Sequence, residues 1–124
     1  MGVLRRKRIY EPATSEDGYR VLVDRLWPRG ESRERAALDE WLKEIAPSPE
    51  LRRWWNHDAS EMSEFSGRYR AELDAAPQPV EHLVTLVRAH PVVTVLYGAH
   101  DPAINHAVVL QSYVRDRFDI EVED

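Results

Sequence analysis

Residues 19–30 (YRVLVDRLWPRG) gather chemically capable side chains at one end of a short apolar run. Asp24, Arg25, Trp27 and Arg29 follow one another closely there. Two guanidinium groups on one loop can hold a carboxylate or phosphate through paired N–H donors. Trp27 can wall an apolar or planar part of the same ligand. The structural alternative is that Asp24 or an acidic helix simply pairs the arginines. A second group follows residues 92–97: Tyr97, His100, Asp101, Asn105 and His106. His106 is the acid–base candidate, because imidazole exchanges protons near neutrality. Asn105 or Asp101 can orient a ligand, and Tyr97 can donate a hydrogen bond. The structural alternative here is a histidine packed against a strand, with Asp101 capping a helix.

Metal chemistry is also open. His57-Asp58, His100-Asp101 and His106 offer the nitrogen and oxygen ligands that zinc or iron accept, with His57 and His106 as the pair on which that alternative rests. Their spacing matches no recognised ligand pattern. His57 otherwise serves at a helix end, where a cation meets the negative dipole end. His82 and His90 receive no role. A glycine-rich phosphate loop and a serine nucleophile elbow are both missing, which removes nucleotide hydrolysis and triad chemistry.

The elements that must position these residues read as α/β. Residues 19–26 are valine- and leucine-rich on both faces, as an interior parallel strand requires, and Pro28 should end it near Trp27. Residues 92–97 (VVTVLY) form a second such strand, expected beside the first. Residues 6–10 (RKRIY) make a weaker strand, read as a charged edge rather than a nucleic-acid patch. Ser32 is expected to cap a helix through about Ile45, with Leu38, Trp41, Leu42 and Ile45 as its buried stripe. Ser48-Pro49-Glu50 starts another, carrying Leu51, Trp54 and Trp55. Asp58 with Glu61 resembles a capping box for a helix through about Ala75, striped by Met62, Phe65, Tyr69 and Leu73. A fourth helix runs from near Pro79 to Ala89. Asp101-Pro102 is expected to open the last, which runs to about Phe118. Residues 119–124 are an acidic tail that has the pattern of a short edge strand at Ile120 and Val122. The expected architecture is a small, mainly parallel sheet of three or four strands under about five helices, in one domain spanning 1–124. Ligands of such sheets bind outside the carboxyl ends of the strands.

Composition narrows the classes. A chain of 124 residues with 43% hydrophobic content can bury a core without staples. It has no cysteine, which excludes disulfides, thiolate nucleophiles and cysteine-ligated zinc, and suits a reducing, cytoplasmic setting. A net charge of −5 makes general nucleic-acid binding unattractive. No apolar run approaches the length of a membrane span, and the charged amino terminus lacks the apolar stretch of a signal peptide. No cofactor is implied.

Four blocks carry a family resemblance: EDGYRVLVDRLWPRG, ALDEWLKEIAPSPELRRWWNHD, FSGRYRAELD and VTVLYGAHDPAINHAVVL. Together they resemble the bacterial YeaO-like proteins, a domain of unknown function, from about Lys7 to Arg117. The resemblance implies an α/β fold and brings no established substrate. Family members resemble one another in a lysine at the position of His100. More distant relatives place a cysteine before the histidine of the last motif, where this chain has Asn105-His106, so a thiol mechanism does not carry over. The functional expectation is a small anionic ligand held by Arg25 and Arg29, with Trp27 as a wall and Tyr97, Asn105 and His106 as polar or acid–base groups. Two alternatives stand beside it. One is a non-catalytic module that meets a protein partner through Trp54-Trp55 or the Trp27 loop. The other is the mononuclear metal site.

Overall fold

The two apolar runs form the centre of a five-stranded parallel sheet in the computed structural model, which describes residues 2–123. In chain order the strands are β1 (Val3–Arg8), β2 (Tyr19–Leu22), β3 (Glu40–Trp41), β4 (Val92–Tyr97) and β5 (Glu121–Glu123); side by side they run β3-β2-β4-β1-β5. β2 and β4 pair in parallel with Val21 opposite Val95. Alternation then sorts their side chains between two faces. Val21, Val23, Val93, Val95 and Tyr97, with Leu4 of β1, face the larger core; Leu22 and Leu96, with Ile9, face a smaller one.

The larger core is covered by α2 (Pro49–Trp55), α3 (Met62–Asp74), α4 (Pro77–Ala89) and α5 (His106–Phe118). The expected stripes are the ones buried: Phe65, Tyr69 and Leu73 on α3, and Val80, Leu83, Val84 and Val87 on α4. Ser48 caps α2 by accepting a bond from Leu51 N–H, and Asp58 opens a 3-10 turn before α3 by accepting from Ser60 N–H. The smaller core lies under the one-turn helix α1 (Arg33–Ala36), with Trp27, Leu38 and Trp41 packed against it.

Four expectations are corrected. The helix expected from Ser32 to Ile45 stops after one turn. Ser32 does cap it, but Ala37 turns left-handed at φ 48°. The following segment then adds to the sheet beside β2, where Arg20 N–H donates to the Asp39 carboxylate and Asp39 N–H to Arg20 carbonyl. Sheet pairing wins over helical periodicity there. The acceptor of Gly98 N–H beyond β2 is the Asp24 side chain, so regular pairing ends at Leu22 rather than near Trp27. α5 begins at His106, not at Asp101-Pro102, because Asn105 is its N-cap. β1 lies inside the sheet between β4 and β5, and its cations are absorbed by partners: Lys7 by Asp17, Arg5 by Glu123, and Arg8 by the Ala99 carbonyl. The acidic tail does add an edge strand, pairing with β1. His82 reaches across from α4 to Glu40, which also accepts from Tyr19 hydroxyl, so the two-residue β3 is pinned from both neighbours. Among the described residues no helix is long and apolar enough to cross a membrane.

Candidate functional site

The carboxyl ends of the adjacent strands β2 and β4 open into a cleft of about 280 Å³. The β2 loop supplies Asp24, Arg25, Leu26, Trp27 and Arg29, and the β4 loop supplies Gly98 and Ala99. α2 adds Arg52 and Trp55, followed by His57; α3 adds Phe65; the first residue of α5 is His106. Local chain chemistry explains the placement. Asn56 and His57 are both left-handed, at φ 49° and 56°, which ends α2 and turns His57 back over the cleft. Asparagine and histidine are among the side chains that adopt this conformation most readily. His57 then stacks on Trp55, which stacks on Phe65 at 3.7 Å between ring centroids.

The arginines divide into one anchor and two free groups. Arg25 donates Nε to Pro47 carbonyl and Nη2 to Ala46 carbonyl, so its paired donor edge is spent on holding the wall of the cleft. The guanidinium groups of Arg29 and Arg52 make no hydrogen bond or ion pair with any described residue; the main-chain carbonyl of Arg29 accepts from the Tyr10 hydroxyl. Sequence reasoning missed Arg52, whose signal was present: it stands on α2 three residues before Trp55, one helical turn from a wall of the site. Of the two arginines expected to hold an anion, Arg25 thus has donors engaged by main-chain carbonyls, whereas the Arg29 guanidinium does not.

Asp24 and His106 form the polar floor. Asp24 Oδ2 accepts from Gly98 N–H at 2.9 Å, and its main-chain carbonyl accepts from Trp41 Nε1. His106 Nε2 lies 3.0 Å from Val23 carbonyl and 3.4 Å from Asp24 Oδ1, a buried oxygen with no hydrogen-bond partner. Burial pushes the imidazole below its usual pKa range, and the Asp24 carboxylate and Val23 carbonyl oppose that shift without cancelling it. The ring is therefore neutral near neutral pH. No described residue hydrogen-bonds its Nδ1, which is not closed off from solvent, so it keeps access to the cleft.

The remaining predicted residues lie elsewhere. Asn105 is fully buried, with Nδ2 donating to Asp101 carbonyl and Oδ1 accepting from Val108 N–H, and it does not line the cleft. Asp101 accepts from Ala103 and Ile104 N–H groups in the turn before α5. Tyr97 faces Arg6 and does not line the cleft, and burial raises its phenol. Trp27 does line the cleft, held by Nε1 donation to Glu31 carbonyl and covered by the Arg33 guanidinium. Trp55 is interior, whereas Trp54 is half-exposed beneath the Arg68 guanidinium. His57 and His106 share the cleft, yet among the described residues no group of three or more histidine or carboxylate side chains assembles as a metal-ligand set.

Fold and site together define a small parallel α/β protein with a cationic, aromatic-walled cleft at the carboxyl edge of its sheet. The chain belongs to the family described as the inactive DUF488-N3 subclade, which it matches over residues 3–124. It is 45% identical over 109 residues to the uncharacterised protein YeaO of Escherichia coli, an alignment covering 88% of this chain and 94% of YeaO. It is 36% identical over 110 residues to an uncharacterised protein of Mycobacterium tuberculosis, with 89% and 92% covered. No solved structure matches the chain significantly.

Proposed function

We propose that this protein binds a small anionic molecule in the cleft, with Arg29 and Arg52 supplying the charge. The observation that carries the reading is the pair of unpartnered guanidinium groups beside a cleft whose one lining carboxylate, Asp24, is engaged by Gly98. Elsewhere in the molecule cations are mostly paired, as Lys7, Arg20 and Arg117 are. Trp27, Trp55 and Phe65 supply apolar walls against which an anion's remaining surface can lie. Binding without turnover fits the word "inactive" in the family's description and the absence of a cysteine nucleophile. The Asp24–His106 pair favours a second reading, in which the neutral imidazole acts as a general base on the bound molecule. A cytoplasmic setting suits both readings. A protein partner docking on the Trp27 loop, where Leu26 is exposed, remains the competing class.

A thermal-shift panel of phosphates, carboxylates and divalent metals tests the proposal. A ligand at about a hundred times its dissociation constant adds about 2.7 kcal/mol, which moves the midpoint by several degrees. Stabilisation by an anion class, lost in Arg52→Ala and in Arg29→Ala, is the expected result. A panel without any shift rejects the anion site and turns the search to pull-downs. Stabilisation by a metal that disappears in His57→Ala supports the metal reading instead.

A further inference from the structure

We infer that the cleft selects anions that carry their own hydrogen-bond donor, a P–OH or a hydroxyl beside the charged group, over anions of the same shape that carry none. The inference rests on the anion-site reading and adds to it the class of ligand. Its basis is the orientation of one ring. His106 Nε2 faces two acceptors, Val23 carbonyl at 3.0 Å and Asp24 Oδ1 at 3.4 Å. Neither can donate, so the proton of the neutral ring belongs on Nε2. A proton on Nδ1 instead would set the Nε2 lone pair against two oxygens and leave Asp24 Oδ1, already unpaired and buried, with no donor near it.

Nδ1 is therefore a bare lone pair on the cleft, in a site whose unpartnered charged groups, Arg29 and Arg52, are cations. Guanidinium groups satisfy any anion's oxygens. Nδ1 satisfies only a donor, and an anion without one must either leave it unpaired or face it with repelling oxygen. Asp24 is the positioning residue here. It acts through His106, and its Oδ2 is tethered by Gly98 N–H so that Oδ1 stays beside Nε2.

Phosphate and sulfate provide the test, being matched in shape, while phosphate near neutral pH carries at least one O–H and sulfate none. Titration calorimetry on the intact protein should give phosphate at least about tenfold tighter than sulfate, the size of one hydrogen bond to a buried partner. In His106→Leu the side chain carries no acceptor for the ligand's O–H, and the ratio should fall towards one. Long-range 15N correlation spectra of the imidazole read the tautomer directly, with Nε2 protonated and Nδ1 bare in the wild type. Asp24→Asn, which puts an amide opposite Nε2, should shift the ring towards the other tautomer and lower the same ratio. Equal binding of the two ions by the wild type, or a protonated Nδ1, overturns the inference while leaving the anion site standing. Failure of both ions to bind overturns the anion site, and this inference falls with it.

Discussion

His106 links burial to acid stability. Its pKa is lowered in the folded chain, chiefly by burial, while the unfolded chain returns to the ordinary value of 6.5. Below that value the unfolded state takes up a proton that the folded state resists, so stability falls as pH drops from about 6.5 towards the folded pKa. Above it both states are neutral and the group contributes no slope. Unfolding midpoints of the wild type should decline across that window, and His106→Gln should flatten the decline. Asp17 works lower on the scale. Burial alone would raise its carboxyl, but the Thr14 N–H, Lys7 and Arg20 outweigh that and hold it below 3.8. Its contribution is present above that value and lost on further acidification.

At the scale of elements, the site depends on how α5 begins. Asn105 is a helix cap with both amide ends engaged, and it sets the first residue of α5 under the end of β2. Asn105→Ala should cost about 1–2 kcal/mol, since the cap and a buried turn bond are lost together, and denaturant melts will show it. Anion binding should weaken along with it because His106 loses its seat. Much of this arrangement was legible. The periodicities of α3 and α4, the Ser48-Pro49 start and the two apolar strands could all be read from residue types, as could the loop carrying Asp24, Trp27 and Arg29. What escaped depends on pairing at a distance. Nothing local distinguishes Glu40-Trp41 in a helix from Glu40-Trp41 in a strand; the hydrogen bonds between Arg20 and Asp39 decide it. Asp101-Pro102 and Asn105 are both plausible caps by type, and only the three-dimensional turn assigns Asp101 to Ala103 and Ile104. Arg25 looked as free as Arg29 until the Ala46 and Pro47 carbonyls were seen to claim it.

Across the whole molecule, a chain of net charge −5 keeps Arg25, Arg29 and Arg52 together at one cleft. An anion approaching from elsewhere meets a repelling surface, so the local field of the arginines must act within about one Debye length, roughly 8 Å at physiological ionic strength. Affinity for phosphate should therefore fall as sodium chloride is raised, and the dependence should be shallower in Arg52→Ala. A salt-independent affinity would mean that apolar contacts with Trp27 and Trp55, not charge, hold the ligand.

The strand order also governs when this chain can fold. β1 bonds only to β4 and β5, so the first strand made has no ladder partner until residues 92–97 follow. β4 must then enter between β1 and β2, which residues 9–18 join to each other. Closing that gap late in the chain gives a slow, non-local search. On a ribosome the first 91 residues would emerge as helices and unpaired strand edges, waiting for their centrepiece. A fragment of residues 1–91 should accordingly show helical signal without a cooperative melt, and the cleft, which needs both β2 and β4, would come into being at the last step of folding.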